Sequence, residues 1–432
     1  ANGPKKPPMT PPSTTATAAL SINPTTGGEF ARHAFIDAEA CEQVLRGARA
    51  GFEGWSRTGI DERLAIVRRV GAVLRQRRDA LATMATQEMG KPITQARAEI
   101  EKCAVLCDWY AEHGAPIVAN QPSPVGPDAY VAFRPIGTVL AVMPWNFPYW
   151  QVLRGAISIL VGGNGYLLKH APNVMGCAYL TRAVFAEAGL PPGVFDVANI
   201  TNELTSKVIA DPRIAAVAVT GSVRAGAAIA AQAGAALKKT VLELGGSDPF
   251  IVLADADLEG AVQAALVARY QNTGQICIAA KRIIVEQPIA AEFTERFVAG
   301  AKALKQGDPL QDDTYLGPMA RSDLRAELHG QVQATLQAGA RLLLGGEPAR
   351  GEGWFYPATV LADVRPGMPA FEQETFGPVA AIIVATDVED AVRMANDSSF
   401  GLSAALWTRD RALAHRLAGR IETGGCFVNG YS

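Results

Sequence analysis

Short β-rich segments alternate with helix-length segments through the middle of this 432-residue chain. Tyr166–Lys169, Ala215–Val219 and Val241–Leu244 have the composition of strands. The segments between them, Val174–Ala188 and Val223–Leu237, have the length and apolar spacing of helices. Strands joined by helices of this length predict a mostly parallel, doubly wound α/β sheet.

The alternation starts again near Gly245. Phe250–Leu253 and Arg282–Val285 are predicted strands, and Leu258–Tyr270 between them is a predicted helix. A chain of this length is too long for one ordinary core. Two strand–helix series that meet near residue 245 therefore predict two α/β domains with a cleft between them.

The chain before the first series is predicted to contain helices, two strands and an N-terminal arm. Residues 38–112 place apolar side chains at three- and four-residue steps, which predicts helices. Tyr130–Arg134 and Thr138–Met143 are short and β-rich, which predicts a pair of strands. Residues 1–21 are rich in Pro, Thr and Ala and carry no apolar signal region, so we expect a disordered arm.

Composition excludes several classes of protein. A net charge of −2 without a basic stripe argues against nucleic-acid binding. No apolar run reaches the length of about 18 residues that a transmembrane helix needs. Six scattered cysteines show no metal-ligand spacing, so we expect no metal. Few cysteines and no export signal predict a cytoplasmic protein with reduced thiols.

Cys277 is the first candidate for chemistry. It follows an irregular polar run, Asn272–Ile276, after the helix predicted to end at Tyr270. Such a turn can expose the sulfur, and a thiolate is a strong nucleophile toward a carbonyl carbon. A buried, inert thiol is the alternative interpretation, and it fits most intracellular cysteines.

Glu243 is the second candidate. Leucines flank it at the end of a predicted strand, and two glycines follow. The functional interpretation is a general base whose pKa is raised by desolvation. The alternative is a structural glutamate held in an ion pair.

Two loops carry the remaining candidates. Asn146 lies between stiffening prolines and aromatic residues in Pro144–Pro148, where its amide could donate to a developing oxyanion. Thr220–Gly226 joins a predicted strand to a predicted helix and could present backbone N–H groups to a phosphate. The alternatives are a packed turn for the first loop and an ordinary helix cap for the second.

Five motifs in order resemble the aldehyde dehydrogenase superfamily, and the similarity runs from about Ile22 to Ser432. They are Pro144–Pro148, Val219–Ser222, Leu242–Gly246, Asn272–Cys277 and Glu374–Val379. The resemblance implies that fold: two Rossmann-type domains with a small β oligomerisation element. The implied dinucleotide-binding domain comprises residues 22–116 and 136–244, the oligomerisation strands residues 117–135, and the catalytic domain residues 245–432.

The resemblance also implies roles for individual residues. Cys277 would be the nucleophile, Glu243 the base that activates water, and Asn146 an oxyanion donor together with the Cys277 N–H. Residues implied to bind NAD or NADP are Trp145, Lys169, Gly221, Ser222, Gly245, Glu374 and Phe376. A homodimer or homotetramer is implied as well.

Residues 164–173 and 221–250 are similar to the bacterial succinate-semialdehyde dehydrogenase branch of this family. In that branch Arg154 would bind the distal carboxylate of a short semialdehyde, with Gln271 where many members carry a second arginine. Pro172 replaces a common acidic residue, so the sequence does not choose between NAD and NADP. The family pattern continues beyond Ser432 with a Gly-rich segment and an oligomerisation strand.

Four alternatives stay open at this point. The substrate could be another small aldehyde, such as glutarate semialdehyde. An acylating relative would pass the thioester to coenzyme A, although Glu243 favours hydrolysis. A non-catalytic binding or structural member of the fold is opposed by the presence of Cys277, Glu243 and Asn146 together. A cysteine hydrolase would need one of the five histidines near Cys277 in space.

Overall fold

The computed structural model describes residues 17–432. Strands β1 (Ala18–Ile22) and β2 (Glu29–Ala34) form an antiparallel hairpin. The prediction of a disordered arm was therefore wrong for its last residues, because Ser21 is buried and donates a hydrogen bond to the carboxylate of Glu88. The rest of the predicted arm, residues 1–16, lies outside the described residues.

Four helices follow, as the apolar spacing predicted. They are α1 (Ala38–Trp55), α2 (Ile60–Gln76), α3 (Arg78–Met89) and α4 (Ile93–Val118). Gly90 ends α3 in the left-handed region at φ 78°. A side chain at Gly90 would also lie 2.8 Å from the Pro318 ring, so both the turn and the packing require glycine.

A five-stranded parallel sheet forms the first half of the core. Its strands are β5 (Thr138–Met143), β6 (Gly165–His170), β7 (Phe195–Val197), β8 (Ile214–Thr220) and β9 (Lys239–Glu243), in the order β7-β6-β5-β8-β9. Helices α5 (Trp150–Val161), α6 (Met175–Glu187), α7 (Asn202–Ala210) and α8 (Val223–Ala235) connect them.

Both predicted strands form, Tyr130–Arg134 only as far as Val131, but they do not pair with each other. Strand β4 (Tyr130–Val131) pairs instead with β3 (Gln121–Pro122) in a separate two-stranded hairpin. Strand β5 is central in the parallel sheet, between β6 and β8. Its apolar side chains are buried there, which the short hairpin could not achieve.

A seven-stranded sheet forms the second half, in the order β12-β13-β14-β11-β10-β15-β16. Its strands are β10 (Asp248–Val252), β11 (Ala280–Glu286), β12 (Arg341–Leu344), β13 (Thr359–Ala362), β14 (Val379–Ala385), β15 (Ala404–Trp407) and β16 (Cys426–Val428). Only the edge strand β12 is antiparallel. The helices here are α9 (Leu258–Tyr270), α10 (Gln287–Ala303), α11 (Ser322–Gln337), α12 (Pro369–Glu372), α13 (Val388–Asn396) and α14 (Arg411–Ala418).

The chain passes from one sheet to the other between β9 and β10, close to the predicted position at residue 245. The carboxyl ends of β5, β8 and β9 lie at one edge of the first sheet because these strands are parallel. Ligands of such sheets bind at that edge. Among the described helices, none has the length and apolar character to cross a membrane.

Candidate active site

A cleft of about 490 Å³ lies at this edge. Eight of the predicted site residues line it: Trp145, Asn146, Gly221, Ser222, Gly245, Cys277, Glu374 and Phe376. They come from five separate segments of both halves of the chain, so the fold brings the motifs together. The four other predicted residues, Arg154, Lys169, Glu243 and Gln271, do not contribute to the lining of this cleft.

The turn that carries Cys277 is conformationally constrained. Helix α9 ends at Tyr270, as predicted, and Asn272 and Thr273 then adopt left-handed backbone angles, φ 53° and 54°. This conformation costs free energy for residues other than glycine and persists only where the surroundings impose it. Gln275 helps to impose it: its side chain donates to Asn272 O and accepts from Ala320 N.

A second constraint on this turn comes from Arg269, which is fully buried. Its guanidinium donates to Gly274 O at 2.7 Å and to Gly377 O at 2.6 Å. A Cβ atom at Gly274 would lie 2.3 Å from Gly377 O, so only glycine allows this approach. Arg269 thus connects the turn that carries Cys277 to the Glu374–Val379 motif.

Cys277 itself is partly buried within the cleft. Burial raises the pKa of its thiol, and the positive charge of Lys281 opposes that effect. The carboxylates of Glu374 and Asp248 act in the same direction as burial. The reactivity of this sulfur therefore depends on a balance of buried charges.

Asn146 is buried and joined to the same turn. Its Nδ2 donates to Gln275 O at 3.0 Å, and Asn272 Nδ2 donates to Asn146 O at 2.9 Å. The amide of Asn146 has two N–H groups, and one of them remains for a ligand in the cleft. These contacts hold the two predicted catalytic loops against each other.

A buried ion pair holds the start of α5, which directly follows the Asn146 loop. Lys91 and Glu99 are hydrogen-bonded to each other and almost completely buried. Glu99 Oε1 accepts from the backbone N–H groups of Tyr149 and Trp150 at the start of α5. The Lys91 ammonium lies 3.7 Å from the centre of the Phe147 ring. A carboxylate at a helix N-terminus is a favourable arrangement.

His170 bears on the hydrolase alternative. It is buried, lies 2.9 Å from Pro148 O through Nε2, and accepts from Ala171 N through Nδ1. Burial lowers its pKa to about 4. Among the described residues that line the cleft, none is a histidine. The arrangement supplies no histidine base for Cys277, which argues against a cysteine hydrolase.

Glu243 differs from its prediction in one respect. Its side chain is 39% exposed, so the desolvation predicted from its leucine neighbours was wrong. The reason is that β9 is an edge strand, and Leu242 is itself exposed. Glu243 Oε2 lies 3.7 Å from Nη2 of Arg154 on α5.

The cofactor side of the cleft is open at the N-terminus of α8. Ser222 caps this helix by accepting from Ala225 N, and Gly221 N donates to Glu243 O. A Cβ atom at Gly221 would meet nothing within 4 Å, which leaves space for a phosphate at the helix N-terminus. The Trp145 and Phe376 rings meet edge to face across 5.7 Å beside it. These residues fit a dinucleotide.

Glu374 also belongs to this side. Its Oε1 accepts from Gly246 N at 3.1 Å, and a Cβ atom at Gly245 would lie 2.3 Å from its Oε2. Gly245 is therefore required for the carboxylate to approach the backbone. Lys169 lies farther off, on β6, where burial lowers the pKa of its ammonium.

The profile of the aldehyde dehydrogenase family matches residues 11–432. The chain belongs to the aldehyde dehydrogenase family. It is 60% identical over 419 residues to a protein of Escherichia coli K12 named succinate semialdehyde dehydrogenase [NAD(P)+] Sad, covering 97% of this chain and 91% of that one. It is 44% identical to a probable NADP+-dependent succinate-semialdehyde dehydrogenase of Synechocystis, covering 96% and 91%.

Solved structures agree with this aldehyde dehydrogenase fold. The succinic semialdehyde dehydrogenase of Streptococcus pyogenes, crystallised with NADP+, superposes with a TM-score of 0.93 at 35% identity. The match covers 96% of this chain and 92% of that one. The predicted fold class is confirmed.

Sequence reasoning missed the residues that support the site. Arg269, Lys281 and the Lys91–Glu99 pair touch backbone atoms rather than a ligand, so no ligand chemistry pointed to them. One signal was present: Lys281 and Arg282 stand together before an apolar run, Ile283–Val285, in strand β11. Charged residues in a buried strand require buried partners.

Proposed function

We propose that this aldehyde dehydrogenase oxidises succinate semialdehyde to succinate with NAD or NADP. The observation that carries the proposal is the meeting of Cys277 and Asn146 with Glu374 and Phe376 in one cleft. This arrangement combines a nucleophile, an oxyanion donor and a dinucleotide site. The substrate class comes from the relatives named succinate-semialdehyde dehydrogenases.

The reaction begins when the Cys277 thiolate bonds to the aldehyde carbon. The carbonyl oxygen becomes an oxyanion, which accepts hydrogen bonds from Asn146 Nδ2 and the Cys277 N–H. A bound nicotinamide accepts the hydride as the carbonyl re-forms, and the acyl group is left as a thioester on Cys277. Glu243 then takes a proton from water, whose oxygen attacks the thioester carbon and displaces the Cys277 thiolate.

Dinucleotide binding follows from the cleft lining. Ser222, at the N-terminus of α8, would contact the pyrophosphate, and Gly221 would leave space for it beside that terminus. Lys169 would contact the adenosine ribose. Glu374 would hold the nicotinamide ribose, with Trp145, Gly245 and Phe376 around the ring. Pro172 places no carboxylate beside the ribose, so the site accepts both NAD and NADP.

The distal carboxylate of the substrate would bind Arg154. A guanidinium matches a carboxylate with two parallel hydrogen bonds. Gln271, which follows α9 directly, would add an amide donor. In the absence of substrate the partner of Arg154 is Glu243. Glutarate semialdehyde would need the same arginine, and its own carbon chain is one methylene longer.

Exposed apolar side chains support a homodimer or homotetramer. They lie on β4 and the chain that follows it, and on β9: Tyr130, Val131, Phe133, Ile136, Val241 and Leu242. Such surfaces mark protein interfaces. We further propose a cytoplasmic location, supported by six cysteines that are all unpaired thiols.

A rate survey tests the proposal. Initial rates with succinate semialdehyde, glutarate semialdehyde and butanal are measured with NAD and with NADP, and repeated with added coenzyme A. The expected result is the highest kcat/KM for succinate semialdehyde and formation of the free acid. A higher value for butanal would overturn the substrate assignment, and an acyl-coenzyme A product would overturn the hydrolytic mechanism.

A further inference from the structure

Lys281 contacts the backbone around the proposed nucleophile, Cys277. It is the second residue of β11 and is completely buried. Its Nζ donates to Cys277 O at 2.6 Å and to Ile276 O at 2.9 Å. Neither of these carbonyls belongs to a strand. Ile276 O also accepts from Ala279 N at 3.2 Å, so the ammonium is a second donor to that oxygen.

These two contacts fix the direction of two N–H groups. All described peptide bonds are trans, and in a planar trans peptide the N–H points away from the C=O. The carbonyl of Ile276 shares its peptide with the Cys277 N–H, and the carbonyl of Cys277 shares its peptide with the Ile278 N–H. Since Lys281 holds both carbonyls, both N–H groups point away from it.

Each of these N–H groups has a place in the chemistry. The Ile278 N–H acts on the Cys277 sulfur, lowers the pKa of the thiol and so favours the thiolate. The Cys277 N–H is the backbone donor that the proposed mechanism assigns to the oxyanion. The same ammonium therefore orients a donor to the nucleophile and a donor to the oxygen that the nucleophile creates.

Two carboxylates favour the charged form of Lys281 in this buried position. Glu374 Oε1 lies 3.5 Å from Nζ, and the charge of the buried Asp248 on β10 also acts on it. Burial lowers the pKa of Lys281, and these two carboxylates oppose that effect. The charge of Arg269 acts with burial. Lys281 thereby also connects the nucleophile turn to Glu374 on the cofactor side.

We propose that Lys281 is a positioning residue for aldehyde oxidation: it fixes the two peptides flanking Cys277 and places a positive charge beside the sulfur. The proposal rests on the proposed thiol mechanism. The charged groups that face Cys277 are Lys281, Glu374 and Asp248. Of these only Lys281 favours the thiolate.

The test is alkylation of Cys277 by iodoacetamide as a function of pH, without aldehyde, followed by mass spectrometry of the Cys277 peptide. Lys281→Met keeps most of the side-chain volume and removes the charge. In this variant the pH at which alkylation reaches half of its limiting rate, the alkylation midpoint, should rise by about one unit. At any pH below the midpoint the alkylation rate should then be about tenfold lower. The rate of the burst of reduced cofactor formed with succinate semialdehyde should fall at least tenfold.

Lys302→Met on the exposed face of α10 is the matched control and should leave both measurements unchanged. A turn that had merely become loose would expose the sulfur and raise the limiting alkylation rate at high pH instead. That result, or an unmoved midpoint in a folded Lys281→Met enzyme, would overturn the proposal.

Asp248→Asn provides a second measurement if Lys281→Met does not fold, which its thermal melt and NADP+ binding will show. This change removes a negative charge near Cys277, while Glu374 still favours the charged form of Lys281. The alkylation midpoint should therefore move to lower pH. An unchanged or higher midpoint contradicts the proposed balance of charges. Absence of succinate semialdehyde oxidation by the unaltered enzyme would overturn the proposed function but leave the alkylation result valid.

Discussion

Arg154 and Glu243 form an ion pair, with Nη2 and Oε2 3.7 Å apart. One residue is predicted to bind the substrate's carboxylate and the other to activate water. Their side chains are 38% and 39% exposed, so solvent screens the pair and it is weak. A substrate carboxylate can therefore replace Glu243 as the partner of the Arg154 guanidinium. Binding of the correct substrate would then free Glu243 to act as the base.

Glu243→Gln should allow one turnover and then stall at the thioester. Glutamine cannot accept the proton of the attacking water, while hydride transfer does not need that step. Stopped-flow absorbance of the reduced cofactor should show a burst equal to the enzyme concentration and almost no steady-state rate. Glu203→Gln, an exposed change on α7, is the control. An unchanged steady-state rate would remove Glu243 from the mechanism.

Arg154→Ala should lower kcat/KM for succinate semialdehyde by roughly ten- to a hundredfold, because a charge-assisted hydrogen bond contributes about 1.5–3 kcal/mol. Butanal lacks the distal carboxylate, so its kcat/KM should change by less than about threefold. Arg182→Ala, which breaks an exposed pair with Asp196, is the matched control. Equal losses with both aldehydes would show that Arg154 supports the fold or Glu243 rather than the substrate.

Cofactor discrimination should be modest, with kcat/KM for NAD and NADP within about a thousandfold, roughly 4 kcal/mol. Pro172 opens the short turn Pro172–Val174 directly after β6 and carries no charge. Pro172→Glu should lower kcat/KM for NADP by about tenfold relative to NAD, since like charges repel. Pro172→Gln separates this charge effect from loss of proline. A larger discrimination in the unaltered enzyme would mean that another residue reads the ribose.

His170 should make the fold sensitive to acid. Its folded pKa of about 4 lies below its usual 6.5, so the unfolded chain binds the proton more readily between these values. The stabilisation that neutral His170 contributes is complete above pH 6.5 and is lost as pH falls toward 4. The Tm advantage of the unaltered enzyme over His170→Gln should shrink across that window.

The exposed change His415→Gln is the control for this measurement and should follow the unaltered enzyme at every pH. A Tm difference between the unaltered enzyme and His170→Gln that stays constant from pH 7 to pH 4 would contradict the assignment of this sensitivity to His170.

Much of the fold follows from local pattern. Helix α9 has the bounds that its apolar spacing predicted, and β5, β8 and β11 lie where short apolar runs occur. The reason is that apolar period and chain length select helix or strand before any long-range contact forms. Turn residues such as Gly90 carry their own conformational preference.

Local pattern does not predict which strands pair or which charged residues contact each other. The strand Tyr130–Val131 pairs with Gln121–Pro122, not with β5, because β5 gains more burial between two parallel neighbours. The exposure of Glu243 depends on its place in an edge strand. No local pattern encodes which strand lies at an edge.

The sequence by itself determined the family of this protein and the groups proposed to react: the motifs carrying Cys277, Asn146 and Glu243 predict a nucleophile, an oxyanion donor and a base, because each role needs a particular side chain. Only the tertiary structure decided what holds them. Arg269 and Lys281 act through backbone carbonyls that are brought near them by distant parts of the chain. Charges buried in this way depend on geometry in three dimensions, which residue type and spacing do not specify.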